Sequence, residues 1–327
     1  MLLVVTNKSD LACDYLILRL KERGIRFLRL NTEDFGRAFQ IDISFDGSPE
    51  CRLTFEGGQV LRGEEITGVY FRQPRAPAAP DGTADSDRQF VQREINETLR
   101  GLWRLIDGRK WLNHPRDLWL ASNKLEQLAI AGRLGFRIPE TCVTTSAARV
   151  RAFSDEHGGR IICKAVKNGF SHDDDMVTLA ITRRVERAFV DDLDSYAAVP
   201  MIYQREIIKA YDVRVTLIGD QLFPVAIHSQ EREETEVDWR LWDVGDFDLR
   251  HEQMELPQDV AAYCRAIAKH FNLGFAAIDL VRGIDGLFYF LEVNPNGQWA
   301  WIEQKTGYSI RDAIIDRLTD MRCAAYA

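Results

Sequence analysis

Residues 275–297, F-A-A-I-D-L-V-R-G-I-D-G-L-F-Y-F-L-E-V-N-P-N-G, carry the densest chemistry in the chain. With Ile284 and Asp285 as a two-residue turn, the segment reads as a β-hairpin in which Gly283 faces Gly286, Asp279 faces Phe290 and Glu292 faces Ala277. Asp279 and Glu292 are then diagonal neighbours on one face, about 7–8 Å apart at the backbone. Asn294, two residues beyond Glu292, shares that face by the period of a strand. Two carboxylates and an amide suit an oxygen-seeking cation, and magnesium takes just such a partial shell when substrate phosphates supply the rest. Carboxylates on an edge hairpin are ordinarily solvated. Here the neighbours Ala277, Ile278, Leu280, Phe288, Phe290 and Leu291 are too apolar for unpaired charges.

Other candidate groups lie upstream, on elements legible from the sequence. A helix from Ser122 to Leu134, capped by Ser122 or Asn123 and stopped by Gly135, begins with Lys124. A strand over 160–166 carries Lys164, and a polar loop over 167–175 contains Gly169. Runs at 176–181, 201–208, 212–218 and 221–228 alternate with turns and predict an antiparallel region holding Gln204, Glu206, Ile207 and Arg214. A lysine at a helix start or in a strand is by itself usually a surface residue.

The start of the chain reads differently. Leu2–Thr6 predicts a buried strand, followed by a helix to about Arg23, capped by Ser9 or Asp10, with Leu11, Tyr15 and Leu18 as its apolar face. Ile25 to Leu30 follows as a second strand, so the opening is β-α-β and favours a parallel sheet. Strand-like segments at 41–45, 51–55 and 66–71 complete a small α/β unit. The proline-rich stretch 74–87 predicts an exposed loop, 86–107 a helix, and W-L-N-H-P at 111–115 a break. Beyond the antiparallel region, helices are expected at 257–271 and from Ser309 to about Met321.

The 327 residues suffice for two or three units with their own cores. A net charge of −8 argues against a general nucleic-acid binder. The opening apolar run ends at Asn7, too short for a signal peptide core or a membrane span. Six scattered cysteines form no metal-ligand spacing and read as small hydrophobes in a reducing cytoplasm.

The segment E-V-N-P-N resembles the metal-binding strand end of the ATP-grasp superfamily. N-K-L-E-Q-L-A-I-A-G-R-L-G-F-R-I-P-E-T at 123–141 is similar to that family's first lysine, helix and proline stretch, and I-I-C-K-A-V at 161–166 to its second lysine strand. The resemblance implies ATP and Mg2+ as cofactors and an α/β fold with α+β lobes. The expected division is a pre-ATP-grasp domain over 1–117, a central small lobe over 118–200 and a C-terminal lobe over 201–327. Asp279, Glu292 and Asn294 would hold magnesium; Lys124 and Lys164 would contact phosphates; the loop with Gly169 would close over them. Gln204, Glu206 and Ile207 are implied at the adenine and ribose. Arg214, in the D-x-R of Asp212-Val213-Arg214, would meet the phosphate or acyl phosphate, with Arg240 as a further anion-binding arginine. Lys164, Arg214 and Arg240 are the implied catalytic groups.

Within the superfamily the chain resembles the peptide maturases of the microviridin type, the graspetide synthetases. The segments that carry this are L-N-T-E-D-F at 30–35, G-V-Y-F-R-Q-P-R at 68–75, H-S-Q at 228–230 with V-D-W-R at 237–240, and N-P-N-G-Q-W-A-W-I-E at 294–303. Gln73 departs from the pattern, where a second basic residue is more usual. Arg72 would support a lobe interface or peptide recognition, and Trp299 and Trp301 are read as packing residues, against substrate or within the core. The implied substrate is a ribosomal precursor peptide with a leader-type recognition segment. Its Asp or Glu side chains would become acyl phosphates and then esters or amides with Thr, Ser or Lys. A homodimer would match the family; nucleic acid and membrane are not expected partners. The competing readings are a ligase adding amino acids to a peptide or small acid, and a nucleotide-binding scaffold without catalysis.

Overall fold

A computed structural model describes the chain except residues 168–169, 174–175, 180, 194–198, 244–247 and 325–327. By packing, it divides into Met1–Leu118 with Leu273–Phe275 and Asn296–Ala327, and Trp119–Asn272 with Ala276–Pro295. The three-part division expected from the sequence follows the chain instead, and the two differ in where residues 296–327 fall.

In the first unit, Leu2–Thr6 is buried along its whole length and lies inside a parallel sheet ordered Phe27–Asn31, Leu2–Thr6, Gly68–Phe71, Trp111–Leu112. A continuous apolar run is what a strand covered on both faces requires. The helix Leu11–Glu22 is capped by Asp10, whose carboxylate accepts from the Cys13 N–H at 3.1 Å. Its expected apolar face is wrong. Leu11 and Leu18 are 79% and 56% exposed, while Ala12, Cys13, Leu16, Ile17 and Leu20 are buried. Both sets satisfy helical spacing, and the broader one won.

Strands Phe39–Asp46, Ser48–Phe55 and Val60–Arg62 form a separate antiparallel sheet, and with helix Arg88–Leu105 they share a core around Leu3, Val5, Phe39, Leu53, Trp103 and Trp111. Helices Ala300–Thr306 and Ile310–Ala324 belong here too, the first unforeseen from the sequence. Trp299 is fully buried and its indole N–H donates to the Tyr70 hydroxyl at 2.9 Å, as a core residue should. A Cβ on Gly68 would stand 2.8 Å from the Leu318 carbonyl oxygen, so the last helix approaches that strand closely.

Arg72 is fully buried within this same unit. Its guanidinium donates to the carbonyl oxygens of Asn296 and Gly297 at 2.9 and 2.6 Å and to Gln298 Oε1 at 2.5 Å. That accounts for its place in the F-R-x-P segment: it binds the backbone just after the 288–294 strand.

Among the described residues the second unit holds two larger sheets and a two-stranded ribbon. One is ordered Arg183–Arg184, Ile161–Ala165, Met201–Arg205, Thr141–Thr144, and packs Ile161 and Tyr203 against Val150 and Phe153 of helix Ala147–Glu156. The other is ordered His251–Gln253, Gln221–Ile227, Lys209–Ile218, Phe275–Gly283, Phe288–Asn294. Part of the expected 167–175 loop is a strand instead: Phe170–Asp173 pairs with Met176–Leu179 as a ribbon. Gly169 lies outside the described residues. Helix Pro115–Ala121 stands where a break is expected, because proline is as much at home in a first helical turn as at a helix end.

Helix Lys124–Leu134 starts as expected, with the Asn123 side chain accepting from Leu125 and Glu126 N–H groups. It ends at Gly135 with φ +102°, where a Cβ would meet the Tyr263 ring at 2.9–3.0 Å. Only glycine meets both conditions.

Candidate active site

The hairpin that carries the carboxylates departs from its expected register in two places. Gly283 bonds to Leu287 (N–H to O, 2.8 Å), and Gly286 adopts φ +82° as the last residue of a three-residue loop. This moves the pairing by one residue, giving Arg282 opposite Phe288 and Leu280 opposite Phe290. A β-bulge then moves it by one more, so that Asp279 faces Glu292, Ile278 faces Val293 and Ala277 faces Asn294. Asp279 and Glu292 are thus direct cross-strand partners and not diagonal neighbours. Successive pairs alternate faces, so Phe290, fully buried against Phe136, sits with Leu280 on the opposite side from the carboxylates.

On the polar face the three side chains meet. Asn294 Nδ2 donates to Asp279 Oδ2 at 2.9 Å and to Glu292 Oε1 at 3.1 Å. Lys124 Nζ, in the first turn of its helix, lies 2.9 Å from Glu292 Oε2. Arg214 Nε, on strand Lys209–Ile218, lies 2.7 Å from Asp279 Oδ1. Lys164 stands opposite Ile202 in the neighbouring sheet.

Electrostatics ties these groups together. Burial pushes the Lys164 ammonium down to about 8, opposed by Glu292 and reinforced by Lys124 and Arg240. Burial also raises Asp279, with Arg214 opposing and Glu292 adding to the rise. For Glu292 burial acts in the same sense, but the charges of Lys124 and Lys164 outweigh it and hold the carboxyl well below its usual range. Three cations, Lys124, Lys164 and Arg214, therefore surround two carboxylates. The excess positive charge suits a polyanion.

Arg240 is held by Asp238 through Nε at 2.8 Å and Nη2 at 2.5 Å, and Asp238 also accepts the Thr182 N–H at 2.9 Å. The segment bearing them is fastened to the D-x-R strand. Buried Asp212 accepts from Lys209 Nζ at 2.7 Å and from the Ser229 hydroxyl, and Lys209 also donates to the Val237 carbonyl oxygen at 3.2 Å. Burial raises the Asp212 carboxyl, against the pull of Lys209 and Ser229. Trp239 packs its ring 5.3 Å beneath the Arg214 guanidinium.

The remaining sequence candidates lie along strand Met201–Arg205 and just beyond its end. Gln204 is fully buried opposite Ile162; its Nε2 donates to Thr141 Oγ1 at 2.8 Å, and among the described residues nothing hydrogen-bonds its carbonyl oxygen. Glu206 and Ile207 line a cleft of about 590 Å³ with Arg160, Ile161, Arg184 and Lys209. The Glu206 carboxylate is 2.7 Å from Arg184, and its N–H donates to the Arg160 carbonyl oxygen at 3.0 Å.

The donor set fits magnesium in part. Asp279 and Glu292 offer hard oxygens, and the Asn294 amide group now bridging them occupies a position between two carboxylates that a cation favours equally. Among the described residues no cluster of three or more His, Cys, Asp or Glu side chains suits a metal, and two carboxylates alone leave most of a magnesium shell to water or phosphate oxygens. One residue of the site escaped sequence reasoning: Gln127, buried and one helical turn from Lys124. A polar residue sharing a helix face with the candidate lysine was the available signal.

Comparison with known proteins bears on the whole chain. Residues 1–118 match the MvdD pre-ATP grasp domain, and residues 121–318 match the RimK-like ATP-grasp domain. No curated protein matches the sequence. Among solved structures, a Chryseobacterium gregarium RiPP-associated ATP-grasp ligase, in complex with ADP and a leader and core peptide, is similar at 25% identity and TM-score 0.89, covering 98% of this chain and 96% of that one. The Microcystis aeruginosa macrocyclase MdnC, bound with precursor peptide MdnA, is similar at 26% identity and TM-score 0.84 over 98% and 99% of the two chains. Macrocyclase MdnB from the same organism gives 26% identity and TM-score 0.78 over 97% and 98%.

Proposed function

The chain belongs to the RimK-like ATP-grasp family, and from that premise we propose that it is a peptide-modifying ligase with ATP and Mg2+ as cofactors. It phosphorylates Asp or Glu side chains of a ribosomal precursor peptide and joins them to Thr, Ser or Lys side chains as macrocyclic esters or amides. The observation that supports the chemistry is the meeting of Asp279, Glu292 and Asn294 with Lys124 and Arg214 in one unit. Likeness over nearly the whole chain to ligases solved with precursor peptides supports the substrate class.

In this reading Asp279, Glu292 and Asn294 hold the cation, which would neutralise phosphate charge. Lys124 and Lys164 hold the phosphates as compact cations, and Gln204, Glu206 and Ile207 receive the adenosine. A substrate carboxylate oxygen attacks the γ-phosphorus, the bond to the β-phosphate oxygen breaks, and ADP departs. Arg214, planar and permanently charged, and Arg240 steady the acyl phosphate. A hydroxyl or amine then attacks the acyl carbon, loses its proton, and expels phosphate. The segment with Gly169 keeps water from competing.

Residues 1–117 are assigned as the pre-ATP-grasp domain, 118–200 as the small lobe and 201–327 as the C-terminal lobe. The leader segment of the peptide docks away from the reacting side chains, because a site that joins varied side-chain pairs gains affinity from a separate segment that raises local concentration. Among the described residues no helix is long and apolar enough to cross a membrane, and the five described cysteines are free, which supports a reducing cytoplasmic setting. A dimer is expected, and light scattering tests it.

Mass spectrometry of a precursor peptide after incubation with enzyme, ATP and Mg2+ tests the reading. Loss of one water per link, slowed when the leader is removed, is the expected result. Mass gained at each turnover from free amino acids would replace it with the amino-acid ligase; ATP binding without any turnover would leave a scaffold.

A further inference from the structure

Gln127 makes an unusual contact for a helical side chain. Its Oε1 accepts the Val293 N–H at 2.8 Å and its Nε2 donates to the Val293 carbonyl oxygen at 2.8 Å. The amide thus pairs with one residue as a neighbouring strand would, on the open edge of the five-stranded sheet. Its second amide proton goes to the Ala121 carbonyl oxygen at 2.6 Å. Turning the amide over would set NH2 against N–H and oxygen against oxygen, so its orientation is fixed.

Val293 separates Glu292 from Asn294. Nearby, the Phe290 N–H also points outward, to the Arg137 carbonyl oxygen at 2.8 Å. In a regular strand the outward backbone groups belong to alternate residues, so 290 and 292 would share that edge. Here they belong to 290 and 293. The change of parity is the bulge itself, which sets Glu292 opposite Asp279 and leaves Phe290 with Leu280. Both outward anchors come from one stretch, the helix Lys124–Leu134 and the residues just after it. Without the anchor at Val293, the strand regains a regular ladder by slipping one residue, and Glu292 leaves its partner.

We propose that Gln127 is a positioning residue that locks the bulged register of the metal-binding strand, and so sets the geometry with which Asp279, Glu292 and Asn294 receive a divalent cation. This rests on the metal assignment made above. It adds that the helix bearing Lys124 serves the site twice: by its charge at the first turn, and by a neutral amide one turn later that acts only through the Val293 backbone.

The test compares Gln127→Met, which keeps length and bulk but neither hydrogen bond, with Gln127→Glu, which keeps only the acceptor for the Val293 N–H. The probe is Mn2+, titrated into each full-length variant in the presence of ADP and followed by electron paramagnetic resonance. Thermal unfolding and ADP affinity without metal are measured alongside. Disturbing a group that orients metal ligands is expected to weaken Mn2+ binding on the order of 10- to 100-fold. The Met variant should lose most and the Glu variant less, with metal-free ADP affinity within about twofold of wild type. A folded Met variant with wild-type Mn2+ affinity overturns the proposal, even if its melting temperature falls, because Gln127 then only stabilises an edge. Should the Met variant not fold, wild-type Mn2+ affinity in the Glu variant overturns it equally. Glu292→Gln separates the two levels: if it too binds Mn2+ as wild type does, the metal assignment has failed; if it alone is weakened, only the role of Gln127 has.

Discussion

Arg214 Nε stands 2.7 Å from Asp279 Oδ1, and both side chains are buried. Breaking such a pair from one side leaves an uncompensated charge, here with Glu292 close by. Arg214→Gln should therefore lower stability by about 3–5 kcal/mol or force Asp279 to take up a proton. Turnover should fall by about 10²–10³, the loss typical when a donor to a developing oxyanion is removed. Calorimetry and ADP release measure the two effects, and a turnover loss under about threefold would remove Arg214 from the reaction.

Glu292 joins Lys124, Asn294 and the field of Lys164 in one contact set. Glu292→Gln retains shape but removes a hard anionic ligand and strands Lys124. The expected outcome is a folded protein with little ATP turnover at any magnesium concentration. Near wild-type turnover in saturating magnesium would sink the metal assignment.

The leaving group distinguishes two kinds of carboxylate activation. In the proposed reading the cationic groups hold a phosphate that is transferred, so ADP and phosphate should form in step with product. Chromatography that finds AMP and pyrophosphate instead would defeat the acyl-phosphate route.

Asp238 gives a stability signature on the acid side. Burial would raise its carboxyl, but the Arg240 guanidinium and the N–H groups of Thr182 and Arg240 outweigh burial and lower it. A carboxyl lower in the folded than in the unfolded chain contributes fully above the unfolded value of about 4, and less as pH falls through the folded value. Urea unfolding of wild type and Asp238→Asn should differ most near neutrality, with a gap that starts to narrow near about pH 4 and closes only once the pH is below the folded value. A gap that is independent of pH would show that the pair contributes nothing through charge.

At Gly135 both conformation and space exclude a side chain. Gly135→Ala should cost about 1–3 kcal/mol, from the left-handed backbone together with displacement of Tyr263. An unchanged melting temperature would mean that the helix end and the Tyr263 ring shift without penalty.

Much of this arrangement was legible in the sequence. The opening strand, the helix behind Asn123, the antiparallel runs and the helix Gln258–His270 all follow from local patterns of period 2 or 3.6. The set of candidate side chains was also legible, and the structure brings Lys124, Arg214, Asp279, Glu292 and Asn294 into contact. Register was not. A turn longer by one residue and a bulge each move the pairing by one place, and neither leaves a mark in an apolar run such as Leu287–Leu291. Long-range partners were hidden for the same reason. Arg72 finds Asn296–Gln298, and Gln127 finds Val293, through the fold and not through spacing. The apolar stripe of Leu11–Glu22 failed because two faces fit, and only the neighbours choose between them.

The close approach of Gly68 to Leu318 bears on the order of events during synthesis. The first unit begins the chain but also needs the helices after Asn296, whereas the second ends at Pro295. A ribosome therefore exposes every residue of the second unit before it releases the helix that covers the strand beginning at Gly68. Nascent chains in that interval display an uncovered sheet, a surface that chaperones and proteases recognise. Shortened chains that stop before Ile310 would accordingly be lost through turnover in the cell, and their low abundance would say nothing about the chemistry of the half already built.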